Sequence, residues 1–158
     1  MGAVALIGID LGKYCFFLHA QDSRGHEVWR KKTTRAQLLR LLANCPACAV
    51  AMEACAGAHF LARKLQTFGH RVMLIAPQFV RPFVKGNKTD FADAEAICEA
   101  ASRPSMRFVA VKTPEQQTLL ALHRVRESLV AERTAASNQI HGFLLEFGVS
   151  LPGGFARD

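Results

Sequence analysis

The chain opens on a continuous apolar run, Ala3 to Ile9, that ends at Asp10. A run apolar at every position suits a strand covered on both faces in the middle of a sheet. Leu11-Gly12-Lys13 reads as a turn, and the aromatic-rich stretch Tyr14 to Ala20 as a second strand. Asp22-Ser23-Arg24-Gly25 is another turn, and Glu27 to Lys32 a more polar third strand suited to a place near an edge. Three strands joined by short turns form an antiparallel meander. Thr34 with Gln37 is a capping box that opens a helix reaching Leu42. Ala49 to Met52 is a short apolar strand leading into Glu53. Gly57 to Thr67 is helical, with Phe60, Leu61, Lys64 and Leu65 at helical spacing and Gly69 as its stop. Arg71 to Ile75 is a further strand, and Pro77 and Pro82 bracket an irregular or short helical piece. Thr89 then caps a helix running to Ser102 and stopped by Pro104.

The resulting order, β-β-β-α-β-α-β-α, predicts an α/β domain over residues 1–111: a mixed sheet flanked by helices, in the RNase H-like (RuvC-like) order. From Pro114 the pattern changes. Gly142 is the one breaker before Gly148, so a helix of roughly 30 residues or more, about 50 Å long, fits there. Leu122, Leu129, Ala136 and Phe143 recur every seven residues, with Val125, Ile140 and Phe147 beside them. Residues 112–148 therefore read as a long helix or coiled-coil arm. Glu132 and Gln139 interrupt the stripe, so a kinked helix packed on the domain is the competing reading. Residues 149–158, with Pro152-Gly-Gly, read as the start of a linker to a further C-terminal domain.

Charge narrows the partners. The 158 residues carry a formal net charge of +7, which favours a polyanion such as nucleic acid, while half the residues are hydrophobic, enough for a core. Between Val28 and Thr89 stand eleven basic residues and a single carboxylate, Glu53. The five cysteines lack framework spacing and suggest reduced thiols; Cys45-Pro-Ala-Cys48 has no evident second pair to complete a zinc site. The N-terminal apolar run is too short for a signal peptide or a membrane span, and the expected location is the bacterial cytoplasm.

Four acids stand out by position. Asp10 ends the first strand, Glu53 ends another, and Asp90 and Asp93 share one face in the first turn of a helix. Carboxyl ends of neighbouring parallel strands share a rim, where Asp10 and Glu53 can meet and the helix can bring the other two alongside. Close carboxylates repel, and a divalent cation removes that cost. Mg²⁺, with Mn²⁺ as a substitute, takes a few carboxylate oxygens and keeps waters that a substrate phosphate can replace. Two such ions roughly 4 Å apart can hold the attacking and leaving oxygens of a phosphodiester. Each acid also has a plainer reading: Asp90 and Asp93 complement a helix N-terminus, and Asp10 before a glycine can form a turn. Glu53, alone among apolar and basic residues, is the hardest to explain that way. Lys13, Arg81, Lys85 and Lys88 near these acids, and Arg124, Arg126 and Arg133 on the long helix, are the candidate phosphate contacts, each open to the alternative of a solvated face.

Three blocks carry a family resemblance: Gly8-Ile-Asp-Leu-Gly12, Met52-Glu-Ala-Cys-Ala-Gly-Ala-His59 and Asn87-Lys-Thr-Asp-Phe-Ala-Asp-Ala94. Together with the segments beginning Pro77, Arg103 and Asn138, they resemble the DEDD transposases of the insertion-sequence 110 family, its 1111 branch above all, a group that includes the pilin-gene-inverting recombinases. The resemblance covers nearly the whole chain. It implies that Asp10, Glu53, Asp90 and Asp93 form a catalytic, metal-binding tetrad that cuts and rejoins DNA as a mobile element inserts and excises. It further implies a second, C-terminal domain with a nucleophilic serine and a guide (bridge) RNA as partner. The apolar stripe of the long helix separately predicts a homo-oligomer built through that helix, since pairing with another copy would bury it. His141 stands where relatives often carry a basic residue.

The alternatives come from other classes. A sugar-kinase or actin-type ATPase half also opens with strand-Asp-x-Gly, but there a hydroxyl residue follows the glycine where this chain has Lys13, and a second lobe is needed. A Holliday-junction resolvase shares the chemistry without accounting for the long helix. A non-catalytic nucleic-acid-binding module would leave the four acids structural.

Overall fold

The opening apolar run forms a central strand, β1 (Leu6–Leu11), in a computed structural model that describes residues 3–84 and 89–151. It is followed by β2 (Cys15–Gln21), β3 (Glu27–Thr34), α1 (Arg35–Ala43), β4 (Ala49–Glu53), α2 (Ala58–Thr67), β5 (Arg71–Ile75), α3 (Pro77–Val80), a 3-10 turn (Arg81–Phe83), α4 (Asp90–Ala101), β6 (Phe108–Val109) and α5 (Pro114–Glu146). The six strands form one sheet in the order β3-β2-β1-β4-β5-β6. β1 pairs antiparallel with β2 and parallel with β4, β4 runs parallel to β5, and β6 returns antiparallel. This is the mixed sheet that the meander and the following alternation of helices and strands require. The chain divides into two compact units, Met1–Val111 and Lys112–Asp158.

Period-two alternation sends successive residues of each strand to opposite faces. Ile7 and Ile9 of β1, Phe16 and Leu18 of β2, and Val50 and Met52 of β4 pack with Leu38 and Leu42 of α1 and Leu61 and Leu65 of α2. The other face sets Leu6, Ala51, Met73 and Ile75 against Val80 of α3 and Ala96, Ile97 and Ala100 of α4. Both central strands are therefore covered on both sides, as their unbroken apolar runs demand. On this second face Gly8 is a packing requirement. A Cβ there would collide with the Ala94 carbonyl oxygen and come within 2.7 Å of Cys98 Sγ, so α4 lies directly on the β1 backbone.

Local signals set the helix ends. The Thr34–Gln37 capping box is present, Thr34 Oγ1 accepting from the Gln37 amide and Gln37 Oε1 from the Thr34 amide. A second capping box, Thr113 with Gln116, opens α5 with Pro114 in its first turn. Gly57, just ahead of α2, has φ +85°, a left-handed conformation that a side chain would strain. The helix itself buries Ala58, Leu61, Ala62 and Leu65. Phe60, grouped above with that stripe, is 54% exposed, and Lys64 is exposed as well. The apolar stripe runs i, i+3, i+4, i+7 from Ala58, and Phe60 falls off it. α5 is one helix of 33 residues with none of them buried. Among the described residues, no helix is long and apolar enough to cross a membrane.

Candidate metal centre

Strand register places the first two acids. The parallel β1–β4 ladder pairs Gly8 with Ala51 and Ile9 with Met52, and Asp10 and Glu53 are the next residues on each strand. Both follow the phase of Leu6, Gly8 and Ala51, so both face α4. The carboxyl ends of two parallel strands thus deliver one carboxylate each to the same rim.

α4 brings the other two. Thr89 is its N-cap, its hydroxyl accepting from the Ala92 amide at 3.2 Å, and Asp90 and Asp93 stand in the first turn. Two contacts fix where this turn lands on the sheet. Gly8 admits the helix close to β1, and Phe91 meets Phe17 of β2 edge to face with ring centroids 5.0 Å apart. Phe17 is the cross-strand partner of Asp10, so the aromatic pair sits one strand away from that carboxylate. The outcome is that Asp10, Asp90 and Asp93 each present a carboxylate oxygen within 4.8 Å of the others. Asp90 is exposed and the other two are half-buried. Glu53 lies outside that trio but lines one cavity of about 390 Å³ with Asp10, Asp93, Pro77, Arg81 and Val84.

The donor set suits a hard cation. Oxygens bound to one Mg²⁺ lie up to about 4.2 Å apart, twice its bond length, so separations up to the observed bound need only a small closing movement. A thiol also stands close to these acids. Burial pushes the Cys55 thiol above its ordinary range, and the charges of Glu53 and Asp10 add to the effect. Cys55 therefore stays a neutral thiol beside the acids.

The candidate phosphate contacts separate into three groups. Arg81, in the 3-10 turn after α3, lines the carboxylate cavity itself. Lys13 is exposed in the β1–β2 turn, its ammonium 5.3 Å from the centre of the exposed Tyr14 ring. Arg124, Arg126 and Arg133 lie on α5, in the second unit. Lys85 and Lys88 lie outside the described residues. Sequence reasoning passed over Phe17 and Phe91, since an edge-to-face pair between a strand and a helix leaves no local signal.

The model of the DEDD transposase family of IS110, described as a transposase, matches residues 7–148. The chain belongs to this family. It is 62% identical over 156 residues to the transposase for insertion sequence element IS1328 of Yersinia enterocolitica, a match covering 99% of this chain and 47% of that protein. It is 43% identical over 157 residues to the transposase for insertion sequence element IS1111A of Coxiella burnetii, covering 99% and 43%. The chain thus spans a little under half the length of these curated relatives. Among solved structures it is similar to RuvC of Thermus thermophilus, with a TM-score of 0.47 and 15% identity over 66% of this chain and 99% of that one.

Away from the acids, this DEDD transposase chain holds a second polar cluster. His70 donates from Nε2 to the Leu42 carbonyl at 2.8 Å, and its Nδ1 accepts from the Cys48 amide at 3.3 Å. The Cys48 thiol lies 3.6 Å from the same nitrogen, and burial, with Cys45 beside it, pushes that thiol up to about 12. A thiol so weakly acidic is no nucleophile at neutral pH. His70 was not paired with the Cys-x-x-C in the sequence, because the β4–β5 register that joins them is a tertiary feature. Among the described residues the aspartate trio is the one group with metal-ligand spacing.

Proposed function

We propose that Asp10, Glu53, Asp90 and Asp93 form the metal-binding catalytic centre of a DNA transposase, cutting and transferring phosphodiesters with Mg²⁺, or with Mn²⁺ in its place. The observation that carries this reading is the convergence of Asp10, Asp90 and Asp93 within 4.8 Å from a strand end and a helix start. Helix caps and turns, the plainer roles of these acids, do not require the carboxylate at a strand end to meet the two in the first turn of a helix from elsewhere in the chain. When bound, divalent metal supplies Lewis-acid activation of the phosphate and of the attacking oxygen. The chain's own residues do the rest. Asp10 and Glu53, on strands of a doubly covered sheet, hold fixed positions, and Asp90 and Asp93 close the ligand set from the helix. Arg81 offers a guanidinium to a non-bridging phosphate oxygen at the cavity mouth.

Several parts of the reading belong to the whole transposase and rest on the family resemblance. These are insertion and excision of a mobile element as the overall activity, a guide RNA as partner, a second domain with a nucleophilic serine, and the cytoplasm as its location. Homo-oligomerisation through α5 has a physical argument of its own. Leu122, Val125, Leu129, Ile140, Phe143 and Phe147 are each more than half exposed, and pairing with another copy buries them.

The test is a Mg²⁺ titration of the chain and of Asp10→Asn, followed by thermal melting and calorimetry, with nicking of branched DNA as the activity readout. The chain should bind saturably and melt higher with metal. Asp10→Asn should melt at the same temperature as the chain or higher without metal, because one of three crowded charges is gone, and should lose the metal-induced rise and the nicking. A chain with no saturable divalent site, or an Asp10→Asn that collapses without metal, would mean the acids are structural.

A further inference from the structure

On the face of the sheet opposite the carboxylates, β3 and α1 enclose a groove of about 550 Å³ lined by Trp29, Lys31, Thr33, Gln37, Arg40 and Asn44 among others. The register fixes the side. Trp29, Lys31 and Thr33 pair with Ala20, Leu18 and Phe16, which pack against α1 and α2, whereas Lys32 pairs with Phe17 on the Asp10 face. The groove is thus separated from the metal centre by the sheet itself.

Its lining is unlike a solvated face. None of the residues lining it is acidic, and Lys31 and Arg40 supply two cations. Trp29 is half-buried against the core, with the Lys31 ammonium 5.0 Å from its ring centre. The two amides are each half-used. Gln37 spends its carbonyl oxygen on the α1 cap and keeps its NH₂ group to donate. Asn44 spends its NH₂ group on the Arg40 carbonyl at 2.8 Å and keeps its oxygen to accept. Between them Thr33 is 8% exposed, and its hydroxyl is the one buried side-chain polar atom without a hydrogen-bond partner among the described residues. A buried hydroxyl left unpaired costs stability, and such exceptions call for an explanation. Thr33 is itself part of the groove lining.

An aromatic ring, two cations and opposed donor and acceptor groups match one nucleotide unit: a base for the indole, a base edge for the amides and hydroxyl, phosphates for Lys31 and Arg40. We propose that this groove is a second nucleic-acid site that takes an unpaired nucleotide of a single strand, with the base displacing Lys31 from the Trp29 ring and Lys31 moving to the phosphate. The proposal rests on the preceding reading only in taking nucleic acid as the ligand; the metal centre plays no part in it.

Trp29 is the sole tryptophan of the chain, so its fluorescence reports on this groove alone. The full chain is titrated with short oligouridylate and oligothymidylate in EDTA, in parallel with Asp10→Asn. Saturable quenching is expected in both proteins, which separates the groove from the carboxylate centre. Quenching by both strands supports base and phosphate recognition, and tighter binding of oligouridylate supports it with a 2′-hydroxyl contact added. Lys31→Ala with Arg40→Ala, both exposed positions, should weaken binding at least about tenfold and flatten the salt dependence by roughly 1.4. Thr33→Val is the decisive variant: it should raise the melting temperature, by removing the unpaired hydroxyl, while weakening the oligonucleotide. Absent quenching, quenching unchanged by the double variant, or quenching lost in Asp10→Asn would each overturn the proposal.

Discussion

At Gly8 a missing side chain decides where α4, the helix that carries Asp90 and Asp93, can sit. Any Cβ there meets backbone and a buried thiol of α4, neither of which can swing aside as a long side chain could. Gly8→Ala should therefore push α4 off β1, at a cost of about 1–3 kcal/mol or more from overpacking. Because Asp90 and Asp93 ride on that helix, chemical denaturation should show lost stability and a Mg²⁺ titration should show weaker binding, both from one methyl group that carries no ligand atom. Normal metal affinity in a destabilised Gly8→Ala would mean that the helix does not set the ligand spacing. His19 shows the same economy of one residue in a different property. It is buried, and burial holds its imidazole below the ordinary 6.5, with Arg30 acting the same way and Glu95 and Glu27 opposing. A histidine harder to protonate folded than unfolded leaves the unfolded chain binding more protons as pH falls below 6.5. Stability from this group is thus present above that value and lost on acidification through the window below it. Melting temperature should drop between about pH 7 and pH 5, and His19→Gln should flatten that part of the curve; an unchanged curve would place the pH dependence elsewhere.

Among the elements, α5 has the largest unmet need for a partner. None of its 33 residues is buried, although Leu122, Val125, Leu129, Ile140 and Phe143 give it an apolar stripe. If a second copy covers that stripe, Leu122→Lys with Leu129→Lys should lower the mass measured by light scattering to that of one chain while leaving the melting of the first unit unchanged. A single-chain mass before mutation would sink the oligomer reading. The sequence pattern was legible in this helix, and in β5 and α4, because the signal lies within each segment: a capping threonine, an apolar run, a proline stop. β6 escaped notice for the converse reason. Two residues, Phe108 and Val109, carry no period, and only pairing with Leu74 and Ile75 makes them a strand. The misread face of α2 has a similar cause, since Phe60 has the hydrophobicity of a core residue but not the phase. The acids were legible as candidates because strand ends and a capped helix start place them. The contacts that gather them, Gly8 under α4 and Phe91 on Phe17, depend on register between elements, as does the Trp29 groove.

Taken as a whole, the chain is a cation of +7 whose positive groups are spread over several elements. Total charge governs attraction to any polyanion, so affinity alone cannot tell a productive site from a charged surface. The salt dependence can, because each phosphate neutralised contributes about 0.9 to the slope for duplex DNA. Arg81 shares a cavity with Asp10, Glu53 and Asp93. A phosphate drawn to the metal centre would meet it there. Arg24 is also exposed, but the β2–β3 turn holds it at the far end of the sheet from Asp10. Each change to Ala removes one unit of charge, so their effect on long-range attraction is alike. Only Arg81→Ala should remove a phosphate contact. In fluorescence anisotropy across a salt series, Arg81→Ala should lower the slope by about 0.9 and weaken unrelated duplexes alike, while Arg24→Ala leaves the slope unchanged. Equal slopes for the two variants would show that DNA lies away from the carboxylate cavity, and that Arg81 serves the acids electrostatically rather than the strand.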